Sequence, residues 1–282
     1  MMHDFSLTRG HVVLYDLPVT FDARQAVEMT VPAPLRAPAR LVLSALAGRV
    51  PMPSPPSNPR RSTNGRFPYR WNPRYPARVG VMPREGGADD VRWFEIEPCY
   101  VFHPLNAYDD GDTIVLDVVR YDRMFERDLH GPTEGHPALY RWTVDLASAK
   151  VREEQLDDRT QEFPRVDERL TGRRHRYGYA PRFLDGPDGL DMCELLKHDL
   201  DRGTTAVRSF GAGREAGEFV FVPRAEDAAE DDGVLMGFVY DAAEGRSDLT
   251  LLDAATLETL ASIHLPVRVP GGFHGNWIPD GQ

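Results

Sequence analysis

Cysteine is scarce in this 282-residue sequence, which contains only Cys99 and Cys193, far apart and outside any CxxC spacing. Neither a disulfide framework nor a thiolate zinc site can be built from such a pair. A reducing compartment is therefore expected, and we predict a cytoplasmic location.

Long apolar runs and an excess of positive charge are also missing. No run approaches the roughly 20 residues that a membrane-spanning helix needs. The first residues, Met1-Met2-His3-Asp4-Phe5, lack the basic and apolar regions of a signal peptide. The 33 Lys and Arg residues stand against 44 Asp and Glu residues, which gives a formal net charge of −11. Such a chain repels a nucleic-acid backbone, so no nucleic-acid partner is expected.

Helical periodicity is weak, whereas strand-like runs are frequent. Segment 21–46 is interrupted by Pro32, Pro34 and Pro38 and predicts at most a short helix or turn. Strand-like runs bounded by Gly, Pro and Asp clusters occur at 11–15, 77–81, 91–96, 113–119 and 233–239. This pattern predicts an all-β fold.

An internal repeat narrows the prediction. Residues 139–146, 193–200 and 247–254 align on Asp145, Asp199 and Asp253, which are 54 residues apart in both intervals. Each copy continues through a polar turn into a second strand-like run, so it makes half of a four-stranded antiparallel blade. A period near 50 residues that is built from hairpins is typical of a β-propeller.

Turn sequences and the length of the chain then limit the number of hairpins and blades. Asp109-Asp110-Gly111 and Asp231-Asp232-Gly233 predict two inner hairpins. At about 50 residues per blade the chain supplies about five blades, so it forms either a small closed propeller or part of a larger one. The proline-rich stretch 51–59 predicts a long surface loop rather than a domain linker.

Histidine is the residue type with the clearest chemical potential. Six of the nine histidines lie in strand-like runs or polar loops, where a structural or surface role is the ordinary explanation. His3, His103 and His274 each stand near a phenylalanine, and the inner ends of propeller blades could bring them together. Scattered histidines have no ligand spacing to test. From the residues alone, ordinary roles in the core or in turns are the more frequent explanation for such histidines, and a shared metal site is the alternative.

Five ordered motifs that span the chain resemble one known family. They are His3-Asp-Phe-Ser-Leu-Thr8 with the run 12–18, Phe67-Pro-Tyr-Arg-Trp-Asn-Pro73 with 78–84, Phe102-His-Pro-Leu-Asn-Ala-Tyr-Asp109, Gly172-Arg-Arg-His-Arg-Tyr-Gly-Tyr179 and Phe273-His-Gly-Asn-Trp277. In this order they are similar to the carotenoid cleavage oxygenase family, above all to its bacterial lignostilbene dioxygenase-like members.

The resemblance implies a seven-bladed propeller with a non-haem Fe2+ ion held on its axis by four histidines. Residues 1–282 would be the C-terminal part of that single domain, without its N-terminal blades. His3, His103 and His274 would be three of the four ligands, and the first ligand has no counterpart in this sequence. Glu162 and Glu218 resemble the glutamates that orient such ligands, of His103 and His274 respectively. Their ordinary reading is as solvated glutamates at strand starts.

The activity implied by the resemblance is the cleavage of a carbon–carbon double bond with O2, giving aldehyde or ketone products. The partners would be O2 and an apolar or phenolic alkene: a carotenoid, an apocarotenoid or a stilbenoid. The resemblance also leaves room for peripheral membrane contact during substrate uptake, and for a second chain that supplies the N-terminal blades. Two alternatives stay open: an inactive, truncated propeller that acts as a binding protein, and a sugar-processing propeller, for which no pair of catalytic carboxylates can be assigned.

Overall fold

The computed structural model describes residues 1–46, 67–130, 134–186, 189–270 and 274–279, so the loop predicted at 51–59 lies outside the described residues. The described part is dominated by strands, and the predicted all-β fold class is confirmed. The strands, in chain order, are β1 (Phe5–Leu7), β2 (His11–Asp16), β3 (Val19–Phe21), β4 (Tyr69–Trp71), β5 (Arg78–Pro83), β6 (Arg92–Glu95), β7 (Tyr100–Asp110), β8 (Thr113–Tyr121), β9 (Ala138–Asp145), β10 (Lys150–Asp157), β11 (Tyr177–Gly186), β12 (Gly189–Asp199), β13 (Thr204–Ser209), β14 (Arg214–Pro223), β15 (Gly233–Asp241), β16 (Arg246–Asp253) and β17 (Thr259–His264).

These strands form four antiparallel sheets and one two-stranded ribbon. Sheet I has the order β1-β2-β5-β6, sheet II β10-β9-β8-β7, sheet III β11-β12-β13 and sheet IV β14-β15-β16-β17, and β3 pairs with β4. Sheets II to IV are meanders in which consecutive strands are neighbours, as in propeller blades. The two hairpins predicted from their Asp-Asp-Gly turns are confirmed as β7–β8 and β14–β15.

The repeated aspartates have a local physical role that explains their spacing. Asp145, Asp199 and Asp253 end β9, β12 and β16. Oδ1 of Asp145 accepts hydrogen bonds from the N–H groups of Ala147 and Ser148 at 2.8 and 2.9 Å. Asp253 accepts from the second and third residues after it in the same way. These backbone donors lower the pKa of both carboxyl groups. Asp199 accepts from the N–H of the third residue after it, at 3.3 Å. Two of the three repeats thus end their strand with the same side-chain-stabilised turn, and the third shares part of it.

Two helices lie where at most one short helix or turn was expected, and that prediction is wrong. They are α1 (Ala23–Thr30) and α2 (Arg36–Leu46), and a 3-10 turn at Ala33–Leu35 joins them. Pro32 and Pro34 fall in this connection, while Pro38 lies in the first turn of α2, where its missing N–H breaks no intrahelical bond. Asp22 begins α1 by accepting a hydrogen bond from the Gln25 N–H at 3.0 Å. No helix in the described ranges is long and apolar enough to cross a membrane.

The core consists of clusters between consecutive sheets. One cluster joins sheets I and II and includes Val79, Phe94, Ile114, Leu116 and Trp142. A small cluster of Leu105, Leu139 and Val166 lies beside sheets II and III, and a third joins sheets III and IV through residues such as Tyr179, Leu195, Phe219 and Leu235. The sheets therefore pack in the order I to IV.

The first strand of each sheet lies at one side of this row. In sheets I, II and IV it is β1, β7 and β14. In sheet III its place is taken by the irregular segment 161–165, which pairs with β11 through two isolated bridges, Gln161 with Arg182 and Arg165 with Tyr179. The candidate site lies where these four inner segments meet.

Candidate metal centre

The structure brings together the three histidines that are far apart in the sequence. His3 precedes β1, His103 lies in β7, and His274 follows sheet IV in a segment without regular structure. The His103 ring is 4.9 Å from that of His3 and 4.8 Å from that of His274, centroid to centroid, with both pairs edge to face. The centre is thus assembled by the stacking of the sheets.

A strand irregularity aims His103 at this centre. The register of β7 with β8 shifts between Val101 and Pro104 and again between Pro104 and Asn106. Pro104 has no N–H to give to a ladder, and bulges of this kind re-aim a side chain at a functional site. A second register shift, between Ala216 and Phe219 of β14, surrounds Glu218 in the same manner.

Acceptors fix the proton of each imidazole on the same nitrogen. Nδ1 of His103 lies 2.6 Å from Oε2 of Glu162, and Nδ1 of His274 lies 3.1 Å from Oε1 of Glu218. Nδ1 of His3 lies 3.1 Å from the carbonyl oxygen of Phe102. Carboxylate and carbonyl oxygens only accept, so each Nδ1 donates and each Nε2 of a neutral ring keeps its lone pair.

The two Nε2 atoms of His103 and His274 face each other at 3.1 Å. Two lone pairs at this distance repel unless a cation lies with them. Two nitrogen ligands with bonds of about 2.1 Å at a right angle would be about 3.0 Å apart, so the pair fits a shared metal ion. Within the described ranges, no group of three or more His, Cys, Asp and Glu side chains is already arranged to hold a metal ion. His3 is therefore a neighbouring third imidazole rather than a completed ligand set.

The electrostatics around His3 favour its neutral, ligand form. Burial lowers the pKa of His3, and a positive charge on His103 would lower it further. The Phe102 carbonyl and the carboxylates of Asp4 and Glu162 act in the opposite direction and are the smaller effects. A neutral imidazole with Nδ1 held by an acceptor is the form that binds a metal.

Glu162 is almost fully enclosed and accepts from three directions. Its side chain is 4% exposed. Oε2 accepts from His103 and from the Phe163 N–H at 2.6 Å, and Oε1 accepts from the Tyr121 hydroxyl at 2.9 Å. Burial, and to a smaller extent the negative charge of Glu162, raises the pKa of the Tyr121 hydroxyl well above its usual range. Tyr121 therefore remains a hydrogen-bond donor. Phe163 has φ = 51°, a left-handed conformation that is rare for an aromatic residue.

Glu218 holds the segment that carries His274. Its side chain is 6% exposed, and its Oε2 accepts from the Gly275 N–H at 2.9 Å. Oε1 faces both His274 Nδ1 and Arg165 Nε, each at 3.1 Å. Sequence reasoning missed Arg165 and Tyr121, because their partners lie 53 and 41 residues away and no local pattern points to them.

Two cavities adjoin the histidines. One has a volume of 310 Å³ and is lined by Asp4, His103, Phe163, Arg165, Glu218 and His274, among others. The second, of 480 Å³, borders Glu218 and His274 and continues over apolar residues of sheet IV such as Val220, Met236, Phe238 and Leu249. The arrangement can thus present a metal ion to an apolar molecule.

Comparison with known proteins gives a consistent match over the chain. The family model described as retinal pigment epithelial membrane protein matches residues 1–279. A carotenoid cleavage oxygenase of Mycobacterium tuberculosis is 52% identical over 291 residues, covering 99% of this chain and 58% of the relative. An apocarotenoid-15,15'-oxygenase of Synechocystis is 34% identical over 217 residues, covering 74% of this chain and 44% of the relative.

A solved structure agrees with the fold. The crystal structure of cobalt-substituted Synechocystis ACO superposes with a TM-score of 0.77 at 28% identity, covering 99% of this chain and 53% of that one. This match confirms the predicted propeller architecture, and the chain spans about half the length of the relatives it matches. The chain belongs to the carotenoid cleavage oxygenase family, which is also described as the retinal pigment epithelial membrane protein family.

Proposed function

We propose that this chain is the histidine-bearing part of a non-haem Fe2+ dioxygenase that cleaves a carbon–carbon double bond of a carotenoid, apocarotenoid or stilbenoid with O2. His103, His274 and His3 would hold the metal. The observation that carries the proposal is the 3.1 Å separation of two Nε2 atoms whose rings are each fixed by a buried glutamate. Fe2+, when bound, would supply the activation of O2 for attack on the alkene.

The donor set supports a redox-active divalent ion. Neutral imidazoles leave the charge of the ion uncancelled, and a ligand set of histidines alone leaves positions for O2 and substrate. The solved structure with the same fold is cobalt-substituted, which supports metal dependence without identifying the ion. Glu162 and Glu218 would increase the basicity of the ligating nitrogens and fix their orientation.

The surroundings of the centre support an apolar substrate. The 480 Å³ cavity beside His274 is bordered by the apolar face of sheet IV. The exposed leucine and valine side chains of α2 offer a further apolar surface: Leu41 is 76% exposed, Val42 59% and Leu46 44%. We propose that this helix contacts a lipid surface from which such a substrate would be taken up.

Metal binding by the 282-residue chain tests the proposal. Co2+ titrated into the purified chain should bind with a visible d–d spectrum, and His103→Ala or His274→Ala should weaken binding by more than about 100-fold, since loss of an orienting partner alone reduces affinity by about 10- to 100-fold.

His264→Ala is the matched control. Its Nδ1 also contacts a carboxylate oxygen, that of Asp248 at 2.7 Å, but it lies on β17, at the opposite edge of sheet IV from Glu218. This variant should bind Co2+ as the wild type does. Equal Co2+ affinity in the wild type, His103→Ala and His274→Ala would reject the metal role and favour the inactive binding protein.

A further inference from the structure

The segment that carries His274 lacks regular structure, so its position depends on a few contacts. Residues 274–279 belong to no strand or helix, and the His274 side chain is 48% exposed. In contrast, His103 lies in a strand and is 12% exposed. Contacts with residues outside the segment must therefore determine the position of His274.

Three side chains form hydrogen bonds with this segment. Glu218 accepts from both the His274 Nδ1–H and the Gly275 N–H. Glu168 accepts from Nδ2 of Asn276 at 3.2 Å. Arg165 donates from Nη2 to the carbonyl oxygen of Gly275.

Arg165 joins these contacts into one unit. Its Nη1 donates to Oε1 of Glu168 at 3.3 Å, and its Nε lies 3.1 Å from Oε1 of Glu218 in an ion pair without hydrogen-bond geometry. Its own backbone is fixed to sheet III, because its N–H and carbonyl oxygen exchange hydrogen bonds with Tyr179 at 2.7 and 2.8 Å. The side chain is only 22% exposed. A planar guanidinium with five donors can hold two carboxylates and a carbonyl at once, which an ammonium group on a flexible stem does not reproduce.

We propose that Arg165 is a positioning residue that latches the His274 segment to sheets III and IV, so that Nε2 of His274 faces Nε2 of His103. The inference rests on the proposed metal role of His274. Arg165 borders the 310 Å³ cavity beside the histidines, but in this scheme it acts on His274 through Glu218 and the Gly275 carbonyl.

Two measurements on the full chain test the latch. In Arg165→Gln, Co2+ affinity should fall by about 10- to 100-fold, the size expected when a ligand loses its orientation. Amide hydrogen exchange at Gly275, which needs no metal, should accelerate at least about 10-fold, because the Gly275 carbonyl loses its bond from Arg165 and the hydrogen bond from the Gly275 N–H to Glu218 then opens more often. Arg165→Lys keeps the charge without the fork, so it should show the same two changes.

Arg176→Gln is the matched control, because Arg176 is likewise a partly buried arginine that pairs with a carboxylate: it contacts Asp199 at 2.8 and 2.6 Å, and its side chain is 32% exposed. It should leave Co2+ affinity and Gly275 exchange within twofold of the wild type. Unchanged Gly275 exchange in Arg165→Gln would overturn the latch, as would full rescue by lysine. If exchange accelerates while His274→Ala retains Co2+ affinity, the latch stands and the metal role fails.

Discussion

At the scale of single residues, His198 is a buried histidine that contacts the segment next to Glu162. Its side chain is 5% exposed, and its Nε2 donates to Oε1 of Gln161 at 2.7 Å. Gln161 directly precedes Glu162, so this bond steadies the inner segment of sheet III. Nδ1 lies 3.0 Å from the Thr205 hydroxyl and 3.9 Å from Asp157. Burial lowers the pKa of His198 to about 4, although Asp157 acts against this effect.

A pH-dependent stability follows from that shift. Below the ordinary pKa of 6.5 the unfolded chain takes up a proton, whereas the folded chain takes it up only near pH 4. The contribution is therefore complete above pH 6.5 and is lost as the pH falls to about 4. At about 1.4 kcal/mol per pKa unit the loss is on the order of 3 kcal/mol.

Urea unfolding of the wild type and of His198→Gln at pH 7, 6, 5 and 4.5 measures this contribution. The variant should be less stable at pH 7 and should lose less stability on acidification. His136→Gln, which changes an exposed histidine that contacts the Thr160 hydroxyl, should keep the wild-type pH dependence. Parallel curves for the wild type and His198→Gln would contradict the prediction.

At the scale of elements, features that depend on residues close together in the sequence could be predicted, whereas features that depend on long-range contacts could not. The aspartates that end β9 and β16 bond to backbone groups two and three residues away, and the one that ends β12 bonds to a group three residues away, so their period is visible in the sequence. Helices α1 and α2 were missed because prolines at their boundaries look like interruptions. Segment 161–165 has no strand pattern, since only two bridges hold it.

The candidate site follows the same division. Family resemblance pointed to the three histidines and to Glu162 and Glu218, and the fold brings each histidine–glutamate pair within hydrogen-bonding distance. Their role in metal binding stays a prediction. Arg165 and Tyr121 reach the glutamates only through sheet stacking, which sequence spacing does not encode.

Helix α2 carries a prediction at this scale. None of its residues is buried, and Leu41 is its most exposed apolar side chain. Burying a leucine side chain is worth about 1.5–3 kcal/mol, so Leu41→Asp should reduce binding to neutral phosphatidylcholine vesicles at least about 10-fold. Cosedimentation measures this. Leu260→Asp changes a 55% exposed leucine on β17 and is the control. Equal binding by Leu41→Asp and the wild type would remove α2 from lipid contact.

At the scale of the whole molecule, the two faces of sheet IV differ in what covers them. One face packs against sheet III. On the other, the strand register aligns Val220, Met236 and Leu251 in one row, and Phe238, Leu249 and Ile263 in the next. Phe238 is 44% and Ile263 51% exposed. Large continuous apolar patches are rare on monomers and mark surfaces of association.

In the absence of a substrate in the cavity that adjoins this face, the chain should therefore self-associate through the face. Sedimentation equilibrium should give an average mass that rises above 31.7 kDa with concentration. Phe238→Glu places a charge in the middle of the patch, where burial without a partner is unfavourable, and should weaken association at least about 10-fold. Leu41→Asp, on α2, should associate as the wild type does. If Leu41→Asp abolishes association while Phe238→Glu leaves it intact, helix α2 and not sheet IV is the surface that drives it.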